Sequence, residues 1–134
     1  MRHIFIGIGH DRAGVAVAAI ALAERCRAKA GVTAGEVSAV VSIAARKDDG
    51  VVAAVARHFG CDARYFSAAE LEAETPRLAN PSEAVFRAVG CHGVAESAAL
   101  VAAGPSGRLL LPKTTLQGIT CAIAEVLAIA DKGT

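Results

Sequence analysis

Two stretches, HIFIGIG at residues 3–9 and VSAVVSI at residues 37–43, are apolar or small at both odd and even positions. Side chains along a strand point alternately to opposite faces, so a run of this kind must be covered from both sides. The segment between them, AGVAVAAIALAERCRAKAG, reads as an alanine-rich helix closed by Gly31. Arg25, Arg27 and Lys29 stand in its last turns, where the helix dipole favours cations. Buried strand, helix, buried strand is the pattern of an α/β domain.

The remaining chain continues that alternation. TAGE at residues 33–36 has capping-box spacing and opens a short turn before the second strand. DDGVVAAVARHFG predicts a helix with Asp48 or Asp49 as cap and Gly60 as stop, and CDARYF a third strand. SAAE at residues 67–70 again has capping-box spacing and begins a short polar helix ended near Pro76. NPSEAVFRAVG predicts Asn80 as N-cap, Pro81 at the first helical position and Gly90 as stop. VAESAALVAAG is a small-residue helix ended by Gly104, and RLLLP a fourth strand. In ITCAIAEVLAIA the period fits either strand or helix, and clustered Ile, Thr and Val favour strand in its first half. The expected architecture is a three-layer α/β/α domain with a mostly parallel or mixed sheet of about five strands, spanning residues 1–134 as one domain.

Composition narrows the function classes. Apolar residues make up 54% of the chain, yet no window has the length of uncharged apolar sequence that a membrane span requires. The opening MRHIFIGIGH reaches glycine too early for a signal-peptide apolar region, so a cytoplasmic protein is expected, with no membrane partner. A net charge of +1, no Trp and one Tyr supply neither a basic field nor a stacking platform for nucleic acid. Cys26, Cys61, Cys91 and Cys121 contain no close CxxC-type pair, and nothing completes a ligand set around Cys91 and His92, so neither a metal nor a cofactor is expected.

In α/β sheets ligands usually bind at the carboxyl ends of strands. Three polar strand exits are candidates. GIGHDRAG at residues 7–14 misses the dinucleotide fingerprint because Arg12 occupies the place of the third glycine. It can still bring backbone amides at Gly7 and Gly9, with Arg12, toward an anion, or form a tight turn with solvated charges. AARKDDG at residues 44–50 offers Arg46 and Lys47 before a helix start guarded by two aspartates, and equally reads as a cap beside a charged surface. In LLLPKTTLQGIT at residues 109–120, Pro112 lacks an N–H and marks where sheet pairing is expected to stop. Lys113 then stands at a strand end beside Thr114 and Thr115, with Gly118 allowing close backbone approach and Thr120 following. Such a lysine suits a carboxylate or phosphate, or simply guards a sheet edge. Glu96, the only charge in its helix, either favours the first turn through the dipole or, in a closed site, accepts hydrogen bonds or acts as a base. His92 is an acid–base candidate or a loop residue. No nucleophile–base pair declares itself by spacing, so these residues point to a cationic, hydroxyl-lined pocket for an anionic small molecule.

Taken in order, IFIGIG, KDD, NPSEAV, GVAESAAL and LLLPKTT…GITCAIAEV resemble the CobE / CbiG C-terminal domain family of cobalamin (vitamin B12) biosynthesis, over essentially the whole chain. The resemblance implies a compact α/β/α domain that holds or acts on a corrin-ring intermediate, as the free-standing type associated with the aerobic pathway. Longer members carry this domain behind another that takes part in opening the ring-A lactone of cobalt-precorrin-5A. Asp49 stands at the family's acidic position, and Arg46 or Lys47 at its lysine position. Precorrins carry many carboxylates around an apolar macrocycle, which Arg12, Arg46, Lys47 and Lys113 could meet over an alanine-rich floor. The expectation is a binding or carrier module for a precorrin, with Lys113 delivered to a side-chain carboxylate. Its partners would be the corrinoid, other enzymes of the pathway and a second copy of the chain. The alternatives are an enzyme on the same intermediates, a lactone hydrolase or a rearrangement catalyst using Glu96, His92 or Asp49, and a small-molecule or nucleotide-binding domain of another pathway.

Overall fold

The computed structural model describes residues 2–11 and 14–127. Its five strands are β1 (Arg2–His10), β2 (Val37–Ile43), β3 (Asp62–Phe66), β4 (Arg108–Leu116) and β5 (Ile119–Leu127). They form one sheet in the order β3-β2-β1-β5-β4. β1 pairs parallel to β2 and β2 to β3, while β5 is antiparallel to both β1 and β4. The sheet is therefore mixed, with the doubly apolar β1 at its centre.

Helices cover both faces, as the doubly buried strands require. Ile4, Ile6 and Ile8 pack with α1 (Ala16–Lys29) and α2 (Val51–Phe59) on one face. Phe5, Ala39 and Val41 pack with α5 (Val94–Ala103) and Leu71 of α3 (Ala68–Glu72) on the other. α5 lies almost on the strand because β1 offers glycine there. A Cβ on Gly7 would sit 1.9 Å from the Ala95 carbonyl oxygen.

Both capping boxes form: Glu36 accepts from the Thr33 N–H at 2.9 Å, and Ser67 and Glu70 exchange bonds at 2.8 and 3.1 Å. Three boundaries differ from expectation. The helix predicted from Asp48 begins at Val51; residues Ala44–Asp49 form a 3-10 turn, and Asp49 Oδ1 accepts from the Val51 N–H at 3.3 Å. Ser82, not Asn80, caps α4 (Glu83–Val89), its hydroxyl accepting from the Val85 N–H at 3.2 Å. Most consequentially, Pro112 does not end β4. The strand runs through to Leu116, and the proline falls in an irregular stretch of the β4–β5 ladder between Leu111 and Thr114. Proline fits a sheet where the ladder is already broken. Lys113 is thus inside a strand. The closing element is strand through Leu127, and residues 128–130 of its expected continuation lie outside the described residues.

The four cysteines are free, and no single helix among the described residues is long and apolar enough to cross a membrane. Replacing Gly7 by Ala drives a methyl into backbone and is expected to cost about 1–3 kcal/mol by forcing α5 off β1. A chemical-denaturation midpoint unchanged from the parent protein would contradict that packing account.

Candidate functional site

At the carboxyl ends of β1 and β2, beside the turn that joins β4 to β5, the fold opens a cleft of about 320 Å³. Gly9, Ile43, Val94 and Ala95 form its apolar interior, and Ala84, Val85, Ala88 and Val89 line it from α4. No residue of α4 is fully buried, and Ala84 and Ala88 are exposed. The apolar face of this helix lines the cleft, with Val89 at its end also packing against the core.

Glu96 organises one wall. It is 2% exposed, on the first turn of α5. Its Oε1 accepts from the Asn80 N–H at 2.9 Å, and its Oε2 accepts from Asn80 Nδ2 at 2.9 Å and from the Lys113 N–H at 2.9 Å. Burial by itself would raise the Glu96 pKa. The hydrogen bonds from Lys113 and Asn80 and the positive charge of Lys113 outweigh it, so the pKa lies below the ordinary value. This carboxylate stays ionised and is occupied by N–H donors. The Lys113 N–H is available to it because β4 is an edge strand whose alternate N–H groups, counted from the Leu116–Ile119 and Thr114–Cys121 pairs, face away from β5. Glu96 therefore ties together α5, the segment leading into α4, and the strand that carries Lys113.

Among the described residues, the cationic side chains lining the cleft are Arg46, from the 3-10 turn after β2, and Lys113. Thr115, Gly118 and Thr120 line the side formed by β4 and β5. Gln117 and Gly118 have φ of 49° and 78°, the two positive values of a tight hairpin turn. A side chain at Gly118 would also meet Asp11, whose N–H donates to the Gly118 carbonyl at 3.0 Å. Gly9 lines the cleft and sits so close to Thr120 that a Cβ would fall 2.6 Å from its hydroxyl.

Other sequence candidates lie elsewhere. Gly7 serves the α5 contact, Lys47 is exposed outside the lining, and the Thr114 hydroxyl donates to the Pro112 carbonyl at 3.4 Å. His92 stands beside the cleft, not in it. Its Nδ1 is 3.0 Å from Glu72 and its Nε2 3.2 Å from Glu83, and its ring stacks on Phe86 at 4.5 Å. Hydrogen bonding to Glu72, more than the nearby charges, raises its pKa despite partial burial. His92 thus pins α4 to α3. Arg12 lies outside the described residues.

Three polar cleft residues were not among the site candidates read from the sequence: Asn80, read only as a helix cap, His10 and Asp11. His10 and Asp11 sit inside GIGHDRAG, the first polar strand exit, where attention falls on the glycines and Arg12. The His10 side chain is 3% exposed, with Nε2 3.2 Å from Asp49 Oδ2. Among the described residues no group of three or more His, Cys, Asp or Glu is gathered to hold a metal ion.

Comparison with known proteins gives the family. The family described as cobalamin synthesis G C-terminus matches residues 4–124. Protein CobE of Sinorhizobium sp is 47% identical over 121 residues, covering 90% of this chain and 79% of that protein. A crystal structure of CobE, a protein from the cobalamin (vitamin B12) biosynthetic pathway, superposes with a TM-score of 0.86 at 31% identity, over 94% of this chain and 92% of that one. The cobalamin biosynthesis protein chiG of Agrobacterium tumefaciens str. C58 is similar with a TM-score of 0.67 at 27% identity, over 93% and 99% of the two chains. On the sequence match over most of its length, joined to this shared mixed-sheet fold, the chain belongs to the cobalamin synthesis G C-terminus family and is a cobalamin biosynthesis protein of the CobE / CbiG C-terminal type.

Proposed function

We propose that the cleft binds a precorrin or related corrinoid through its side-chain carboxylates, and that the protein serves the pathway as a carrier or accessory factor in the cytoplasm. One observation carries the reading. Two cations of opposite walls, Arg46 and Lys113, converge with the Thr115 hydroxyl on a cleft whose interior is apolar. A macrocycle edged with carboxylates asks for that combination of charged contacts and apolar surface.

The size of the cleft bears on carrier against enzyme. At about 320 Å³ it lies near the low end of small-molecule sites, so it takes one edge of a ring system and leaves the rest in solvent. An exposed remainder suits transfer to the next enzyme of the pathway. Glu96 supports the same side of the choice, because its oxygens are committed to three N–H donors and its lowered pKa is the wrong direction for a general acid near neutrality.

Replacing Lys113 by Ala removes one charged contact, expected to weaken binding of a corrinoid acid such as hydrogenobyrinic acid by about 10- to 100-fold while the fold is kept. Visible-absorbance titration reads this, and an unchanged curve contradicts the proposal.

Glu96 predicts an acid-side signature. Its pKa is lower folded than unfolded, so the stability it contributes is present above the unfolded value of about 4.5 and is lost as pH falls through the folded value. Glu96→Gln is expected to flatten that acid-side decline and, with N–H donors left poorly paired, to destabilise the protein by about 1–3 kcal/mol at neutral pH. Denaturant melts across the acid range would show parallel stability–pH curves if Glu96 played no such part.

A further inference from the structure

His10 is the one cleft side chain that is almost fully buried and still has an orphaned polar atom. Its Nδ1 is 3.1 Å from the Asp11 carbonyl oxygen, which only accepts, so Nδ1 carries a hydrogen. Its Nε2 is buried and has no hydrogen-bond partner among the described residues. Asp49 Oδ2 comes within 3.2 Å of that nitrogen, an ion-pair distance, yet is not aligned to accept from it. With Nδ1 carrying a hydrogen, Nε2 is an acceptor in the neutral ring and a donor in the imidazolium. In the imidazolium it is a buried donor held near a carboxylate it does not bond, an unfinished contact.

The two partners differ in how they are held. His10 ends the central strand, paired with Ile119 of β5, and Gly14 packs where a side chain would strike its Cβ. The Asp49 side chain is 36% exposed, on a 3-10 turn, with Oδ1 accepting from the Val51 N–H at 3.3 Å. The imidazole is fixed and the carboxylate is the movable member.

We propose that Asp49 occupies, loosely, the place of a ligand carboxylate on His10, and that a carboxylate of the bound corrinoid displaces it and accepts from Nε2–H. This inference rests on the corrinoid reading above and extends it to a third anion contact, one that neither the charge pattern nor the motifs indicate. The charges around the contact are consistent with it. Asp11 follows His10 in the chain, Arg46 shares the turn of Asp49, Lys113 of β4 and Glu96 of α5 line the same cleft, and Asp48 and Asp49 lie near Tyr65 of β3, adding to the effect of burial on its pKa. Of the three carboxylates lining the cleft or touching His10, Glu96 is consumed by N–H donors and Asp11 lies against the Gly118 turn. Asp49 is the one within ion-pair distance of the orphaned nitrogen.

The sign of the Asp49 effect makes the test selective. In Asp49→Asn the amide oxygen can still accept from the Val51 N–H, while the competing negative charge is gone. Titration of the intact protein with hydrogenobyrinic acid is expected to show about 3- to 10-fold tighter binding for Asp49→Asn, as loss of one exposed, poorly aligned charge contact implies. His10→Gln, which keeps an N–H near the Nε2 position but cannot carry a charge, is expected to bind about tenfold weaker in the same titration run at a pH below the ordinary imidazole range. Binding unchanged or weaker in Asp49→Asn, or unchanged in His10→Gln, overturns this inference while the Lys113→Ala loss still stands for the wider reading. No binding by the parent protein overturns both.

Discussion

A single buried carboxylate holds the site together. Glu96 comes from a helix that can lie on the central strand only because Gly7 has no side chain. It reaches Asn80 across 16 residues and Lys113 across 17 and bonds backbone N–H groups at both. Such a charge is costly to bury unless its oxygens are satisfied, and here three donors satisfy it. The energetic consequence is structural: the loop before α4 and the irregular stretch of β4 are fixed to one helix turn. The functional consequence is positional, because Lys113 presents its ammonium from that stretch and α4 presents its apolar face from that loop.

The irregularity in β4 fits the same contact. β4 is an edge strand, and the pairs Leu116–Ile119 and Thr114–Cys121 set a ladder in which alternate residues, Lys113 among them, turn their N–H away from β5. Position 112 is the next one whose N–H a regular ladder would use, and Pro112 has none. The ladder is broken there while the strand continues and the Lys113 N–H bonds Glu96. His92 completes the frame from outside, linking α3 to α4 through Glu72, Glu83 and the Phe86 ring. The cleft is built on strand ends and roofed by a short helix with no fully buried residue, its Val89 packed against the core.

Much of the fold was legible because local chemistry and burial agree. Runs apolar on both faces demand helices on both sides, and the capping boxes at Thr33 and Ser67 form where their spacing places them. Lys113, Arg46, Thr115, Gly118 and Thr120 all line one cleft, from the interior of β4, the turn after β2 and the β4–β5 hairpin. What was not legible depends on long-range partners. Asn80 and Ser82 are both good helix caps, and burial of Glu96 decides between them by taking Asn80. Pro112 reads as a stop unless the ladder is known to be broken. His10 is concealed by its surroundings in sequence, because only the packed structure shows its Nε2 buried beside Asp49. The family resemblance matches the fold and the pathway, and the residue-level reading adds which atoms at the strand ends face one another.

The most direct test of the central claim is an amide NMR titration of the isotopically labelled protein with hydrogenobyrinic acid. The Lys113 N–H is the informative probe, since it bonds Glu96 while its side chain faces the cleft. The account predicts saturable shifts concentrated at Lys113, Arg46, Thr115, Gly118 and the apolar face of α4. Shifts confined to the opposite end of the sheet, around Arg2 and Glu36, or no saturable shift in the folded protein, would contradict it.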